Sequence, residues 1–190
     1  MNKKWILCCI LLLGAAYIAG AQEWGSKDQF KDEFLSRINR VRARGCNCGS
    51  TYMPPAAPLV WNDDLEQAAN AHAKDMARND YFSHTSQDGR TISDRIMKAG
   101  YTYNGYKSFA VGENIARGQL SIAEVSNGWF KSVGHCKNLM NPDFREIGIA
   151  ENKTYWVQDF GGRIAFSDKE KSLIKSGRLI IKRSRGSSHE

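Results

Sequence analysis

The sequence predicts an α+β domain in which helices cover an antiparallel sheet. Amphipathic helical patterns come first, two β-rich runs of strand length sit together near the end, and no strand–helix–strand alternation joins them.

The first element is "DQFKDEFLSRINRVRAR", residues 28–44. It spaces Phe30, Phe34, Ile38 and Val41 by four, four and three residues, which puts them on one apolar helix face, and Gly45 supplies the stop. "TYMPPAAPLVWN" reads as a proline-broken loop. Asn62 or Asp63 then caps a second helix, whose stripe is Leu65, Ala68, Ala69, His72 and Met76. "YFSHTSQDGRTISDRIMKAGY" gives a polar turn and a short helix from Thr91 to Lys98, ended by Gly100. "SIAEVSNGWFKSV" is a further helix with Ile122, Val125 and Trp129 on one side. "EIGIAEN" and "KTYWVQDFGG" have the length and residue types of strands, with "ENK" as the hairpin turn between them.

The N-terminus reads as an export signal. Lys3 and Lys4 precede the apolar run Trp5 to Ile18, and Ala19-Gly20-Ala21 supplies a small-residue cleavage pattern, so residues 1–21 are expected to be removed. That run is shorter than the ~20 residues of a membrane span. The expected location is therefore secreted or periplasmic. The remaining chain fits one domain over residues 28–162, followed by a basic tail over 163–190.

Charge is unevenly placed. The tail carries eight Lys or Arg against Asp168, Glu170 and Glu190, while residues 22–162 hold 17 basic and 17 acidic groups. A neutral main domain lacks the basic face that nucleic acid requires, so that partner is excluded. The tail could touch anionic surfaces by Coulomb attraction, although a solvated end is the plainer account.

Three cysteines follow the signal: Cys46 and Cys48 in "RGCNCGS", and Cys136 in "GHCKNLM". In an oxidising compartment one bridge from the CxC pair to Cys136 is expected, leaving one thiol, and either Cys46 or Cys48 can be the partner. A metal site on all three is the alternative, but the spacing is not that of a CxxC site.

His72 lies within the apolar stripe of the second helix, where a histidine is ordinarily a packed, hydrogen-bonded residue. His84, in "FSHTS", sits on a loop between ordered elements. His135 follows a glycine at the end of the "WF" helix. In "GYKSFAVGENIARGQL", Glu113 stands among apolar neighbours, where a carboxylate either caps an element or works with distant partners. His84, Glu113 and His135 could give three ligands to Zn²⁺ or another divalent cation, with water in the fourth position. No fixed motif such as HExxH supports that set, and a hydrogen-bonded cluster holding loops together is the alternative. Adjacent His135 and Cys136 point in different directions and do not make a catalytic dyad.

Taken in order, "FSHTSQDG", "GENIARG", "WFKSVGHCKNLMNPDFREIGIA" and "YWVQDFG" resemble the CAP superfamily, or SCP domain, of cysteine-rich secretory proteins, antigen 5 and pathogenesis-related 1 proteins. The likeness is to short secreted bacterial members and covers roughly residues 30–162. It implies an α-β-α sandwich, with a small antiparallel sheet between helical layers, and a surface cleft lined by two His and two Glu that in some members hold a divalent ion. His84, Glu113 and His135 match three of those positions, while the second Glu falls on Ser132, a poor zinc ligand. "GHC" together with Cys48-Gly49 implies the pairing Cys48–Cys136. The resemblance supports two functions. One is a non-catalytic extracellular binding module for a lipid, cell-envelope component or protein. The other is a metal-assisted hydrolase of the peptidase type, with Glu113 as ligand or base.

Overall fold

A computed structural model describes residues 26–181 of this chain. The expected signal, residues 1–21, and the end of the tail, residues 182–190, lie outside the described residues.

Helix α1 (Lys27–Arg42) starts at Ser26, whose hydroxyl accepts from the Gln29 amide, and Gly45 turns the chain at φ +74°. Strands β1 (Cys46–Cys48) and β2 (Thr51–Met53) form a small hairpin. Strand β3 is only Val60–Trp61. The proline-rich stretch expected as loop therefore contributes two short strands. Helix α2 (Asp63–Asn79) is capped by Asn62, which accepts from the Asp64 and Leu65 amides, and buries the full predicted stripe. Helix α3 (Ile92–Lys98) begins with a reciprocal capping box between Thr91 and Asp94.

Strand β4 (Ser108–Arg117) is followed by α4 (Ile122–Lys131) and α5 (Val133–Met140). Ser132, extended at ψ 124°, separates those two helices. His135 accordingly sits within a helix of its own rather than at the end of the preceding one. Strands β5 (Glu146–Asn152) and β6 (Tyr155–Ile164) make the predicted hairpin, but its turn is Lys153-Thr154 and not "ENK". Both turn residues have positive φ, the geometry that matches the twist of a two-residue hairpin. A last helix, α6 (Asp168–Lys175), lies within the basic tail and buries no residue.

The main sheet has the order β3-β5-β6-β4, antiparallel except for the short β3–β5 pair. Strand alternation divides its side chains between two helical layers. Ile147, Ile149, Trp156 and Phe160 pack with Phe34 and Ile38 of α1, Ile122, Val125 and Trp129 of α4, and Leu139 of α5. On the opposite face Ala150, Tyr155, Val157 and Ile115 meet Ala69, Ala73 and Met76 of α2. Helix α2 comes so close that a Cβ on Gly148 would lie 2.0 Å from the Glu66 amide nitrogen. The result is the α-β-α sandwich, and β4 is its edge strand. Among the described residues no helix is long and apolar enough to cross a membrane.

Arg42 closes one end of the apolar layer. Its side chain is fully buried and donates to the carbonyls of Ala57, Leu139, Asn141 and Phe144. Burial, with a smaller contribution from Arg145, lowers its pKa to about 10, so it stays charged at neutral pH.

Candidate functional site at the edge of the sheet

Glu113 projects from the middle of β4 toward the α2 and α3 layer, the same face as its cross-strand partner Asp159. Its carboxylate is buried and both oxygens are engaged. His84 Nδ1 lies 2.7 Å from Oε1, and Arg95 Nη2 donates to Oε2 at 2.6 Å. Because a carboxylate only accepts, the hydrogen on His84 belongs on Nδ1, which leaves Nε2 as the open ring nitrogen. The His84 side chain is 50% exposed against 0% for Glu113, so one edge of the ring is anchored and the rest meets solvent.

Arg95 does more than neutralise Glu113. Its Nη1 donates to the carbonyls of His84 (2.9 Å) and Arg90 (3.2 Å) and reaches Ser86 Oγ at 3.4 Å, tying the 84–90 loop to β4. His72 holds the start of that loop, with Nε2 2.9 Å from the Ser83 carbonyl, and its pKa is lowered chiefly by burial. Arg95 could have been found from the sequence: it lies three residues after Ile92 and four before Ala99, on the apolar face of a short helix.

Asp159 completes the buried cluster. It is wholly buried, and among the described residues neither of its oxygens receives a hydrogen bond. Burial, followed by the charge of Glu113, pushes its pKa well above the usual carboxylate value. Its signal in sequence was an Asp in the apolar run "YWVQDFGG".

His135 approaches from the opposite layer. The carbonyl of His135 accepts from Asn114 Nδ2 at 3.3 Å, and Asn138, one turn on, donates to the Glu113 carbonyl at 3.2 Å. The Trp129 indole does the same for the Ile115 carbonyl at 3.5 Å. These side chains cover the free hydrogen-bonding edge of β4 and bring α5 against it. His135 has a lowered pKa, first from burial and then from the charge of His84, so the two rings share one electrostatic neighbourhood. Beside His135 and Ser132 lies a pocket of about 260 Å³ floored by Ile115, Val125 and Trp129.

Glu113 and the two histidines are thus gathered at one edge. Among the described residues, however, the only three donor residues with ligand atoms all within 4.8 Å of one another are Cys46, Cys48 and Cys136. Of these, Cys48 and Cys136 form a disulfide, with Cα atoms 5.5 Å apart, joining β1 to α5. Cys46 is the free thiol, 3.8 Å from Cys136 Sγ, and burial raises its pKa.

A family model described as the cysteine-rich secretory protein family, CAP, matches residues 35–160. The chain is 36% identical over 108 residues to the uncharacterized protein YkwD of Bacillus subtilis, covering 56% of this chain and 40% of that protein. It is 33% identical over 105 residues to the uncharacterized membrane protein YlbC of the same organism, covering 55% and 29%. The chain therefore spans less than half the length of these relatives. Among solved structures, an extracellular SCP-domain protein of Bacillus anthracis superposes with TM-score 0.56 at 29% identity, over 73% of this chain and 42% of that one. An outer surface protein of Borrelia burgdorferi gives 0.57 at 27% identity, over 72% and 94%.

Proposed function

Because this chain belongs to the cysteine-rich secretory protein (CAP) family, we propose that it is an exported, non-catalytic binding module whose ligand enters over His84 and His135. The observation that carries this reading is the double engagement of Glu113 by His84 and Arg95. A carboxylate so held orients an imidazole and is poorly placed to take a proton from water. The metal-assisted hydrolase reading asks Glu113 to be a free base or ligand, and both its oxygens are already occupied.

The His135 imidazole on the wall of a small apolar-floored pocket forms a ligand seat: its ring meets a polar group, and Trp129 and Ile115 meet an apolar body. A divalent ion bound there would be held by His84 and His135, with water completing the sphere and Glu113 behind His84 fixing its tautomer. Ser132 at the remaining position makes such a site weak. Export is supported by the N-terminal signal pattern and by relatives described as extracellular and outer-surface proteins. In that setting the basic tail attracts the chain to anionic envelope surfaces.

Zinc titration of the purified protein by calorimetry near pH 7.5 tests the metal part. Weak binding that disappears in both His84→Ala and His135→Ala is expected. Tight binding that survives both substitutions, or robust hydrolysis of a peptide substrate abolished by Glu113→Gln, would overturn the reading.

A further inference from the structure

A second concavity lies on the other helical layer. A pocket of about 390 Å³ is lined by Lys74, Ala77 and Arg78 of α2 and by Asn152 and Lys153 at the β5–β6 turn. Three cations thus converge from two separate elements. All three are exposed, and among the described residues none of the three side chains has a hydrogen bond or ion pair.

The local acids are committed elsewhere. Asp75, one turn from Arg78, accepts from Asn79 at 2.8 Å and from the Tyr81 hydroxyl at 2.5 Å. Asp80 pairs with Arg117 at 2.9 Å and accepts from Tyr155. Glu151 accepts the Thr154 amide and so braces the turn. Lys74 and Arg78 are like charges one helical turn apart, an arrangement that repels when nothing anionic lies between them.

The turn adds an independent observation. Lys153 and Thr154 adopt φ +49° and +67°, a region where a two-residue hairpin ordinarily carries Asn-Gly or Asp-Gly. A lysine and a β-branched residue are strained there. The conformation is retained, with Lys153 on the pocket wall, where glycine would give the same turn without strain and without a cation.

We propose that Lys74, Arg78 and Lys153 form a binding site for a phosphate group. A phosphate group, whose oxygens accept charge-assisted hydrogen bonds from both Lys and Arg, is the species that three such donors around one small concavity fit best. The site draws on none of the groups of the His84 cleft and stands independently of the function proposed for it. The phosphate could belong to a free monoester or to the diester of an envelope lipid headgroup or polymer.

The test is an NMR titration at low ionic strength, about 20 mM, where screening is weak. The backbone amides of residues 152–154 are followed while inorganic phosphate is added in one arm and glycerophosphoglycerol, a soluble diester headgroup, in the other. Saturable shifts with either probe are expected, with Kd raised about tenfold or more in the Lys74→Ala, Arg78→Ala double variant. Lys153→Gly is expected to weaken binding to a similar degree while leaving Tm unchanged or higher, which separates lost binding from lost folding. Response to the first probe alone marks a monoester ligand, and response to the second a diester; both support the site. Absence of saturable shifts with both probes, or unchanged Kd in both variants, would overturn it.

Discussion

The two faces of the main sheet are built on different physics. One face is packed mainly with carbon: Phe34, Ile38, Trp129, Trp156 and Phe160 fill the layer against α1, α4 and α5, with the Asn114–Gln158 amide pair and Arg42 as its buried polar groups. The other carries, beside its apolar contacts with α2, a buried cluster of Arg95, Glu113, Asp159 and His72. The apolar face supplies burial, which is insensitive to direction. The polar face supplies direction, because each hydrogen bond fixes an angle and leaves a costly orphan if it is lost. The candidate site lies at β4, where α5 brings His135 from the first layer and Glu113 aims His84 from the second.

The strongest test of this contrast is a pair of truncations of similar cost and different consequence. Trp129→Ala and Arg95→Ala should each destabilise by about 3–5 kcal/mol, the first through a cavity and the second by leaving Glu113 buried without its partner. Urea midpoints measure both. Only Arg95→Ala should also release the 84–90 loop, seen as faster amide hydrogen exchange at residues 84–90. Equal exchange in the two variants would break the contrast.

Cys48→Ser comes next. The bridge closes a separation of 88 residues, for which chain entropy gives about 4.6 kcal/mol and disulfides typically deliver about 2–4 kcal/mol. Cys46, close to Cys136, can take over as its partner, so peptide mapping of this variant should find a Cys46–Cys136 bridge and a smaller loss than in Cys136→Ser. Glu113→Gln should cost about 1–3 kcal/mol, since the amide keeps the shape but cannot accept from both His84 and Arg95 as a charge.

The smallest effect carries the opposite sign. Asp159 has a raised folded pKa, so its contribution to stability is present at low pH and is lost as pH rises above the unfolded value of 3.8 toward the folded one. Asp159→Asn should therefore be neutral or stabilising at pH 7, and the gain should vanish near pH 4. His72 and His135 behave inversely. Their lowered pKa values mean that the unfolded chain binds protons first, so stability should fall as pH drops below about 6.5. Denaturation midpoints at pH 7.5 and 5.5 should show that fall, and His135→Asn should reduce it.

The helical half of this architecture was legible because its signals are local. Asn62, Thr91 and Gly45 sit at the caps that their side chains or backbone freedom require, and the α2 stripe is buried as its spacing demands. The strands were less so. β4 carries Gly112, Glu113 and Asn114 in its centre, and only pairing with β6 and the donors of α5 makes that composition acceptable in a sheet. The break between α4 and α5 depends on the extended backbone of Ser132, whereas the glycine that the sequence offers nearby, Gly134, lies inside α5. Glu113 and the two histidines could be singled out as isolated polar groups. Arg95 and Asp159 could not be joined to them, because their link to Glu113 runs across an α3–β4 contact and a strand register that only the folded chain creates.

The central claim is that buried Glu113 fixes His84 with its hydrogen on Nδ1 and turns Nε2 toward a ligand. Long-range ¹H–¹⁵N correlation of the imidazole nitrogens at alkaline pH, where the ring is neutral, reads that tautomer directly. The expected result is a predominantly Nδ1–H ring for His84, with the preference lost or reversed in Glu113→Gln. A His84 ring that carries its hydrogen on Nε2 in the unaltered protein, or one whose tautomer does not respond to Glu113→Gln, would contradict the account.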